Sequence, residues 1–231
     1  AEIAANLAAD GKTARAGAEP VEPSRKWRRR AEARPAEIVA AAYVVFAEKG
    51  FAAAKLDDIA ARAGVAKGGL YLYFVTKQEI FEAVVKQAVA PNIGAIETFA
   101  LGFPGPFEQL IRMVIPRVAD LADTSNLGRV VKMVIGESGN FPEIARVWHD
   151  DIIVKGIGLL TSLIARAQER GQVRAGDPRQ YALTIIGPLL TAVIFRETFV
   201  PVGAKPFDIP ALMQQHLETV LPGLLTTGAK P

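Results

Sequence analysis

The stretch LDDIAARAGVAKGGLYLYFVTK, residues 56–77, predicts two short helices joined by a tight turn. Four apolar residues share one face of the first helix at the spacing i, i+3, i+4 and i+7: Leu56, Ile59, Ala60 and Ala63. Gly64 is expected to end this helix, because the turn favours positive φ and glycine adopts it without a Cβ clash. The second helix is predicted over 67–74, with Leu70 and Phe74 on its buried side. Its other side is basic and aromatic, which suits close approach to phosphate or to a major groove.

From about Pro35 to Val85 the sequence resembles the helix-turn-helix domain of the tetracycline-repressor (TetR/AcrR) family of bacterial transcriptional regulators. Several residue types at fixed offsets carry the resemblance, which makes it more specific than helical periodicity alone. The segments concerned are FAEKGF at 46–51, DIAARAGV at 58–65 and LYLYF at 70–74, followed by Lys77.

The resemblance implies an all-α fold of about nine helices, with a three-helix DNA-binding head and a larger C-terminal domain. It implies that the head binds a double-stranded DNA operator, and that the C-terminal domain binds a small-molecule effector and forms a homodimer. The implied activity is transcriptional regulation, as a repressor that its ligand releases from the operator. The alternative is a small-molecule-binding helical protein with weak or lost operator binding.

Applied position by position, the resemblance predicts eight DNA-binding residues: Lys55, Ala66, Lys67, Gly68, Gly69, Tyr71, Tyr73 and Lys77. Lys67 and the two glycines are expected to face bases or nearby backbone. Tyr71 and Tyr73 are expected to donate hydroxyls to phosphates or to pack on sugars, unless they only pack within the protein. Lys77 is expected to neutralise a phosphate.

Three of these positions depart from the family pattern. Lys55, Ala66 and Gly69 stand where the family usually has Thr or Ser, so three hydroxyls that would cap helices or meet phosphates are absent. A glycine within a helix costs roughly 1 kcal/mol relative to alanine, and two stand together here. We therefore expect a recognition helix that becomes firm only on DNA, and either modest intrinsic selectivity or help from an arm over Arg25 to Arg30 and from DNA shape.

Basic charge is concentrated where the helix-turn-helix pattern lies. Residues 25–91 hold 12 Lys and Arg against 7 Asp and Glu, whereas residues 92–231 hold 13 of each. Such an excess is either a solvated face or a nucleic-acid surface, and its coincidence with the motif favours nucleic acid. The predicted domains are a flexible tail over 1–33, a DNA-binding domain over 34–90, and an effector-binding and dimerisation domain over 91–231.

The predicted tail ends in a basic cluster around Trp27. This cluster either follows phosphates and enters a minor groove as an arm, or it only keeps the tail soluble. It consists of Arg25, Lys26, Arg28, Arg29 and Arg30.

Helix signals outside the central motif predict that the rest of the chain is also helical. A first helix is expected over 35–50, opened by a proline that suits the first helical position and closed by a glycine. Thr76 and Glu79 form a T-x-x-E capping box at the start of a fourth helix. Pro91 is expected to end or kink that helix, and Pro116 to kink or break the next one. Further helices are predicted within 130–135 and over 142–170, 178–199 and 210–221, and no segment shows sustained strand alternation.

The predicted helix over 178–199 is apolar almost all round, so it must be covered on every side. Core burial and a homodimer interface both supply such cover. Its most apolar run, YALTIIGPLLTAVIF at 181–195, is shorter than a membrane span and is interrupted by Gly187 and Pro188. We interpret it as a buried helix and expect no association with a membrane.

An effector pocket is expected in the C-terminal domain, lined by residues that combine bulk with a polar tip or lie among apolar neighbours, although each is also a candidate for plain core. They are Phe103, Phe107, Met113, Met133, Glu137, Trp148, His149 and Phe195. Such a lining suits a lipophilic or aromatic ligand.

Catalysis, a metal and a cofactor are not expected. The two histidines, His149 and His216, lie far apart in sequence, and consecutive helical positions 148–151 point about 100° apart and cannot converge on one ion. Nucleophile-elbow, phosphate-loop and paired-carboxylate signatures are missing from the sequence. The chain has no cysteine, which fits a cytoplasmic location.

Overall fold

The computed structural model describes the backbone of residues 25–226 and the side chains of residues 34–226 apart from that of Ala88. Within this part of the chain there are nine helices and no strand, apart from one isolated bridge between Val173 and Leu225. The expected all-α fold is therefore confirmed. Of the flexible tail predicted over 1–33, residues 1–24 lie outside the described residues, as do the side chains of the basic cluster around Trp27, whereas the backbone of 25–33 forms the first turns of a helix.

Nine helices follow one another along the described chain, numbered from its N-terminal end. They are α1 (Arg25–Ala53), α2 (Leu56–Arg62), α3 (Lys67–Tyr71), α4 (Lys77–Val84, Val85–Val89 and Ala90–Gly102), α5 (Phe107–Thr124), α6 (Leu127–Glu137), α7 (Pro142–Trp148, His149–Ile153 and Val154–Glu169), α8 (Pro178–Phe199) and α9 (Ile209–Leu224). The middle segments of α4 and α7 are π-helical turns, and a 3₁₀ turn over Val200–Val202 extends α8. We call residues 34–90 the head and residues 91–226 the body.

Helix α1 begins at Arg25, ten residues before the predicted start at Pro35. Pro35 lies inside the helix. Its fixed φ suits a helix, and the cost is one backbone hydrogen bond. The segment before it, RKWRRRAEAR, is rich in Arg, Ala and Glu, which favour helix without forming an apolar stripe. Apolar periodicity alone therefore placed the start too late.

Two predicted helix starts, those of α4 and α8, are confirmed by capping bonds. At α4, Thr76 Oγ1 accepts from the Glu79 N–H at 3.1 Å, and Glu79 Oε2 accepts from the Val75 N–H at 2.8 Å. At α8, Asp177 accepts from the Arg179 N–H at 2.8 Å. Each bond satisfies a backbone donor that the first helical turn leaves without an internal partner.

Prolines inside helices do not interrupt them. Pro116 lies within α5, which continues over Phe107–Thr124, so the predicted break is absent. Pro91 does not end α4 either, and a π-helical turn over Val85–Val89 ends two residues before it. A π turn accommodates the carbonyl that the missing proline N–H leaves unpaired.

The described residues form two hydrophobic cores. One lies in the body and joins the last turns of α4 to α5, α7, α8 and α9. The other lies under the helix-turn-helix, and the body completes it: Val130, Met133 and Val134 of α6 and Ile144 and Trp148 of α7 pack with the head residues. The head therefore does not close its core by itself.

Replacing Thr76 with alanine removes the cap of α4 and is expected to lower the free energy of unfolding by about 1 kcal/mol, because the Glu79 N–H loses its acceptor. Urea denaturation followed by circular dichroism measures this change. Thr98→Ala is the control: Thr98 is exposed within α4 and bonds only the Gly94 carbonyl, so its loss should cost less than about 0.5 kcal/mol. Equal losses in the two variants would contradict the capping role.

Candidate nucleic-acid interface and effector region

The turn between α2 and α3 has the predicted geometry. Gly64 has φ +66°, and the Val65 N–H donates to the Ala60 carbonyl at 3.0 Å, which closes the end of α2. Leu70 is fully buried and Phe74 half-buried, so they anchor α3 on the head core as predicted. The remaining side of α3 is left open to solvent.

That open side carries the residues predicted to meet DNA. Lys67, Gly68, Tyr71 and Tyr73 are exposed, and Gly69 is half-buried above Val65. Ala66, the residue before α3, is exposed and makes no side-chain cap, in keeping with its missing hydroxyl. The surface is thus open to a close approach by a DNA backbone.

Two apolar residues on this surface were not predicted. The side chains of Leu72 and Val75 are 81% and 69% exposed, next to the two tyrosines. The exposure of Leu72 could have been predicted from the spacing of the apolar residues. Leu70 and Phe74 occupy the buried positions, so residue 72 between them cannot also face the core. An exposed aliphatic side chain here can contact a thymine methyl group or a sugar.

The side chain of Lys67 is paired rather than free. Its Nζ lies 2.9 Å from Asp57 Oδ1, and the hydrogen bond to Asp57 raises the pKa of Lys67 above its ordinary value. Both side chains are exposed, so the pair contributes little to stability and can open readily. Lys67 can therefore exchange Asp57 for an acceptor on DNA.

The start of α2 is capped from within the helix. The Lys55 N–H donates to Asp58 Oδ2 at 3.2 Å, which offsets part of the loss of a capping hydroxyl at position 55. A hydrogen bond from Lys49 to Asp58 holds the pKa of that carboxyl below its usual range. The Lys55 ammonium is not needed for this cap, and its side chain is exposed at the positive end of α2.

Lys77 does not present its ammonium to solvent as a phosphate ligand would. Its Nζ donates to the carbonyls of Phe51, Ala52 and Ala54 and lies 4.6 Å from the centre of the Phe51 ring. Burial lowers the pKa of Lys77 below its ordinary value, against an opposing effect of the Glu137 carboxylate. The structure thus gives Lys77 a role in holding the end of α1.

The eight predicted effector residues do not line one pocket. Phe103 and Phe107 lie in the body core region, whereas Met133 and Trp148 belong to the core under the helix-turn-helix. The other four are dispersed: Met113 is half-buried on α5, Phe195 packs on Phe199 and Phe207, His149 is exposed, and Glu137 binds the end of α1. Of the eight, Phe103 and Phe107 line one cavity together.

A small cavity of about 20 Å³ lies beside those two phenylalanines, where the end of α4 meets the end of α7. Two cations, Arg166 and Arg170, share its lining with Gln172, whose Oε1 accepts from the Phe107 N–H at 3.1 Å. The site combines aromatic rings with two guanidinium groups. Its volume holds little more than one water molecule, so a larger ligand must part the helices.

His149 forms a pair with the next residue at the surface. His149 Nδ1 lies 2.8 Å from Asp150 Oδ1, and both side chains are exposed. Among the side chains described, no group of three or more His, Asp or Glu residues is arranged to hold a metal ion.

Helix α8 has an uncovered apolar stripe. Leu183 and Leu190 are 60% and 44% exposed, and with Gly187 and Ile194 they occupy the spacing i, i+4, i+7 and i+11. By length and composition Pro178–Val202 could cross a membrane. Its other faces pack on α6, α7 and α9, which is the arrangement of a core helix with one free face.

Comparisons with known proteins cover both head and body. The sequence profile of bacterial regulatory proteins of the tetR family matches residues 38–84, and that of the tetracyclin repressor-like C-terminal domain matches residues 105–205. The chain is 27% identical over 190 residues to the fatty acid metabolism regulator protein of Bacillus subtilis, covering 81% of this chain and 94% of that protein.

A second sequence relative and a crystal structure are also similar to most of this chain. The chain is 26% identical over 208 residues to the HTH-type transcriptional repressor BepR of Brucella suis, covering 85% of this chain and 96% of that protein. The crystal structure of the transcriptional regulator FadR from Bacillus subtilis, in complex with stearoyl-CoA, superposes with a TM-score of 0.66 at 26% identity. That superposition covers 81% of this chain and 98% of FadR.

The contacts of Lys55 and Lys77 predict different salt dependences of DNA binding. Lys55→Ala is expected to lower the magnitude of the slope of log K against log salt by roughly 1 for each half-site, because an exposed phosphate ligand is lost. Lys77→Ala should weaken binding with little change in slope, since its ammonium is bonded to protein carbonyls. Fluorescence anisotropy at several salt concentrations measures both. An equal fall in slope for Lys77→Ala would return Lys77 to the phosphate contacts.

Proposed function

This chain belongs to the TetR family of bacterial regulatory proteins, and we propose that it is a homodimeric repressor that a lipophilic anion of the acyl-CoA class releases from its operator. DNA-binding regulation of transcription is the activity of the family. The dimer, the identity of the effector and the residues of each site are the finer parts of the proposal. We expect the protein to act in the cytoplasm, where its operator lies.

The open side of α3 supports the DNA-binding part of the proposal. Lys67, Tyr71 and Tyr73 are exposed there beside glycines that let a DNA backbone approach closely. Lys55 adds a cation at the start of α2. We assign phosphate contacts to Lys55 and the tyrosines, and base contacts to Lys67 after it leaves Asp57.

The uncovered stripe of α8 supports a homodimer. A symmetric operator has two half-sites, so two heads must be presented at a fixed spacing. No described residue covers Leu183 or Leu190, and a second copy of α8 and α9 would bury them. Burial of such apolar area is the main favourable term in association.

The cavity beside Phe103 and Phe107 supports an amphiphilic effector. An acyl chain would enter between the aromatic rings, while Arg166 and Arg170 would bind phosphate or carboxylate oxygens. FadR from Bacillus subtilis, a relative of similar length, was crystallised with stearoyl-CoA. We therefore place the effector at this end of α4 and α7 and assign it to the acyl-CoA class.

Helix α4 provides the physical connection from this cavity to the head. Its first turns bury Ile80, Phe81 and Val84 in the core under the helix-turn-helix, and its last turns place Ala100 and Phe103 at the cavity. A ligand that separates the end of α4 from α7 therefore acts on a helix that also packs in the core of the head. Such a ligand favours one of two conformations, which is sufficient for coupling.

Adjacent leucines on α8 test the dimer. Leu190→Glu is expected to give a folded monomer, because Leu190 is on the open stripe, whereas Leu189→Glu should unfold the chain, because Leu189 is only 5% exposed and its carboxylate would be buried unpaired. Analytical ultracentrifugation and circular dichroism measure the two outcomes. A folded Leu190→Glu dimer would remove this stripe from the interface.

The arginines of the cavity test the effector. Stearoyl-CoA is expected to weaken binding of the wild-type protein to DNA from the region upstream of its own gene. The double variant Arg166→Gln with Arg170→Gln should reduce this response about tenfold, because charge-assisted hydrogen bonds to the ligand are lost. Binding without ligand should be unchanged. Arg146→Gln, an exposed arginine elsewhere on α7, is the control. A full response in the double variant would place the effector elsewhere.

The missing hydroxyls at positions 55, 66 and 69 favour one second candidate, a ligand-binding protein of the same fold with weak operator binding. The same assay separates the two. Binding that does not distinguish upstream DNA from random DNA at physiological salt, together with tight binding of stearoyl-CoA, would favour this candidate.

A further inference from the structure

The end of α1 is a separate turn held by a side chain from the body. Gly50 has φ +77° and ψ 170°, which interrupts α1 and starts its last turn, closed by the Ala54 N–H, which donates to the Gly50 carbonyl. The first N–H groups of such a turn have no partner within it. Glu137 Oε1 accepts from the Phe51 N–H at 2.9 Å, and Glu137 Oε2 accepts from the Ala52 N–H at 2.6 Å.

The opposite side of the same turn is held by Lys77, which donates to three of its carbonyls. The turn therefore has an anion at its N–H end and a cation at its carbonyl end, which is the favourable orientation of charges on a peptide dipole. Lys77 is the first residue of α4, and Glu137 is the last residue of α6. The anion thus belongs to the body.

The position of this turn determines where α2 begins. Only Ala54 and Lys55 separate α1 from α2, so a shift of the turn must move α2. Helix α3 follows α2 through the Gly64 turn, and Ile59 of α2 and Leu70 of α3 are both fully buried in one core. A displacement of the turn is therefore passed to the recognition helix.

The other end of α6 is packed tightly on α8. A Cβ atom at Gly128 would lie 2.9 Å from Val193 Cγ1 and 2.7 Å from an Arg196 nitrogen, so this position has room only for glycine. Lys132 Nζ also donates to the Glu197 carbonyl. Helix α6 therefore links α8 at one end to the turn after Gly50 at the other.

We propose that Glu137 is a positioning residue through which the body sets the orientation of the helix-turn-helix. The proposal rests on the proposed function, because it assigns a route by which the state of the body alters operator binding. A movement of α6 by about 1 Å that the side chain does not follow lengthens both bonds to about 3.6 Å or more, where they are no longer hydrogen bonds. This pair of bonds from Glu137 to the turn after Gly50, which we call the latch, therefore distinguishes two positions of α6.

Glu137→Gln tests the latch, because glutamine keeps the length of the side chain but loses the charge and one acceptor. Its operator affinity should fall about tenfold, as for the loss of a charge-assisted hydrogen bond. Thermal unfolding and circular dichroism should show that the protein is still fully folded at the assay temperature. Glu143→Gln, the same change in the first turn of α7, should bind operator like the wild type.

Gly50→Ala provides a second, independent readout. An alanine Cβ at this position would clash with Glu137 Oε1 and displace the carboxylate, in addition to straining the positive φ. Gly50→Ala should therefore weaken operator binding several-fold more in the wild-type protein than in the Glu137→Gln variant, because only the wild-type protein still has both hydrogen bonds of the Glu137 carboxylate. Additive effects, or an operator affinity of Glu137→Gln within twofold of wild type, would overturn the proposal.

The effector response separates this proposal from the proposed function. If stearoyl-CoA releases the wild-type protein, the ratio of operator dissociation constants with and without it should fall at least threefold in Glu137→Gln, and an unchanged ratio would overturn the coupling role. If stearoyl-CoA does not act on the wild type, the assigned effector class fails, and the operator affinities of the Glu137 and Gly50 variants still decide the latch.

Discussion

The ring of Phe51 lies where the head meets the body, and the arrangement of the helix-turn-helix depends on its packing. It stacks 5.6 Å from Phe46, contacts Phe81 edge-on at 5.9 Å, and meets Phe141 of the body edge-on at 5.1 Å. The backbone of the same residue is bonded to Glu137 and Lys77. Aromatic packing and charge-assisted hydrogen bonds thus coincide at Phe51. Without the body, the hydrophobic core of the head would be exposed to water on this side.

Sharing a core with the body has a functional consequence. A head with its own closed core could keep its geometry whatever the body did, and ligand binding would then have no effect on DNA. Here α6 and α7 supply part of the apolar surface under α1 and α4, so a change in the body alters the support of the recognition helix. The low helix propensity of α3, which has two adjacent glycines and no side-chain cap, makes that support more important.

The sequence predicted the helices more completely than the contacts between them. Local signals sufficed for the Thr76 cap, the start of α8 and the turn at Gly64, because each depends on residues within five positions. The start of α1 was missed because its first turns have helix-favouring residues without an apolar stripe. Lys77 was predicted as a phosphate ligand, whereas its three acceptors lie 23 to 26 residues away, and the partners of Glu137 lie 85 and 86 residues away. No periodicity in a single sequence indicates such pairings.

The central claim is that the head depends on the body to complete its core, and urea unfolding of the isolated fragment 34–90 tests it most directly. Without Val130, Met133 and Trp148 the fragment leaves the apolar side of α1 and α4 exposed to water. We expect it to show no cooperative transition by circular dichroism and to lack stable tertiary structure, although it retains some helix. A cooperative transition with a midpoint close to that of the full chain would contradict the claim.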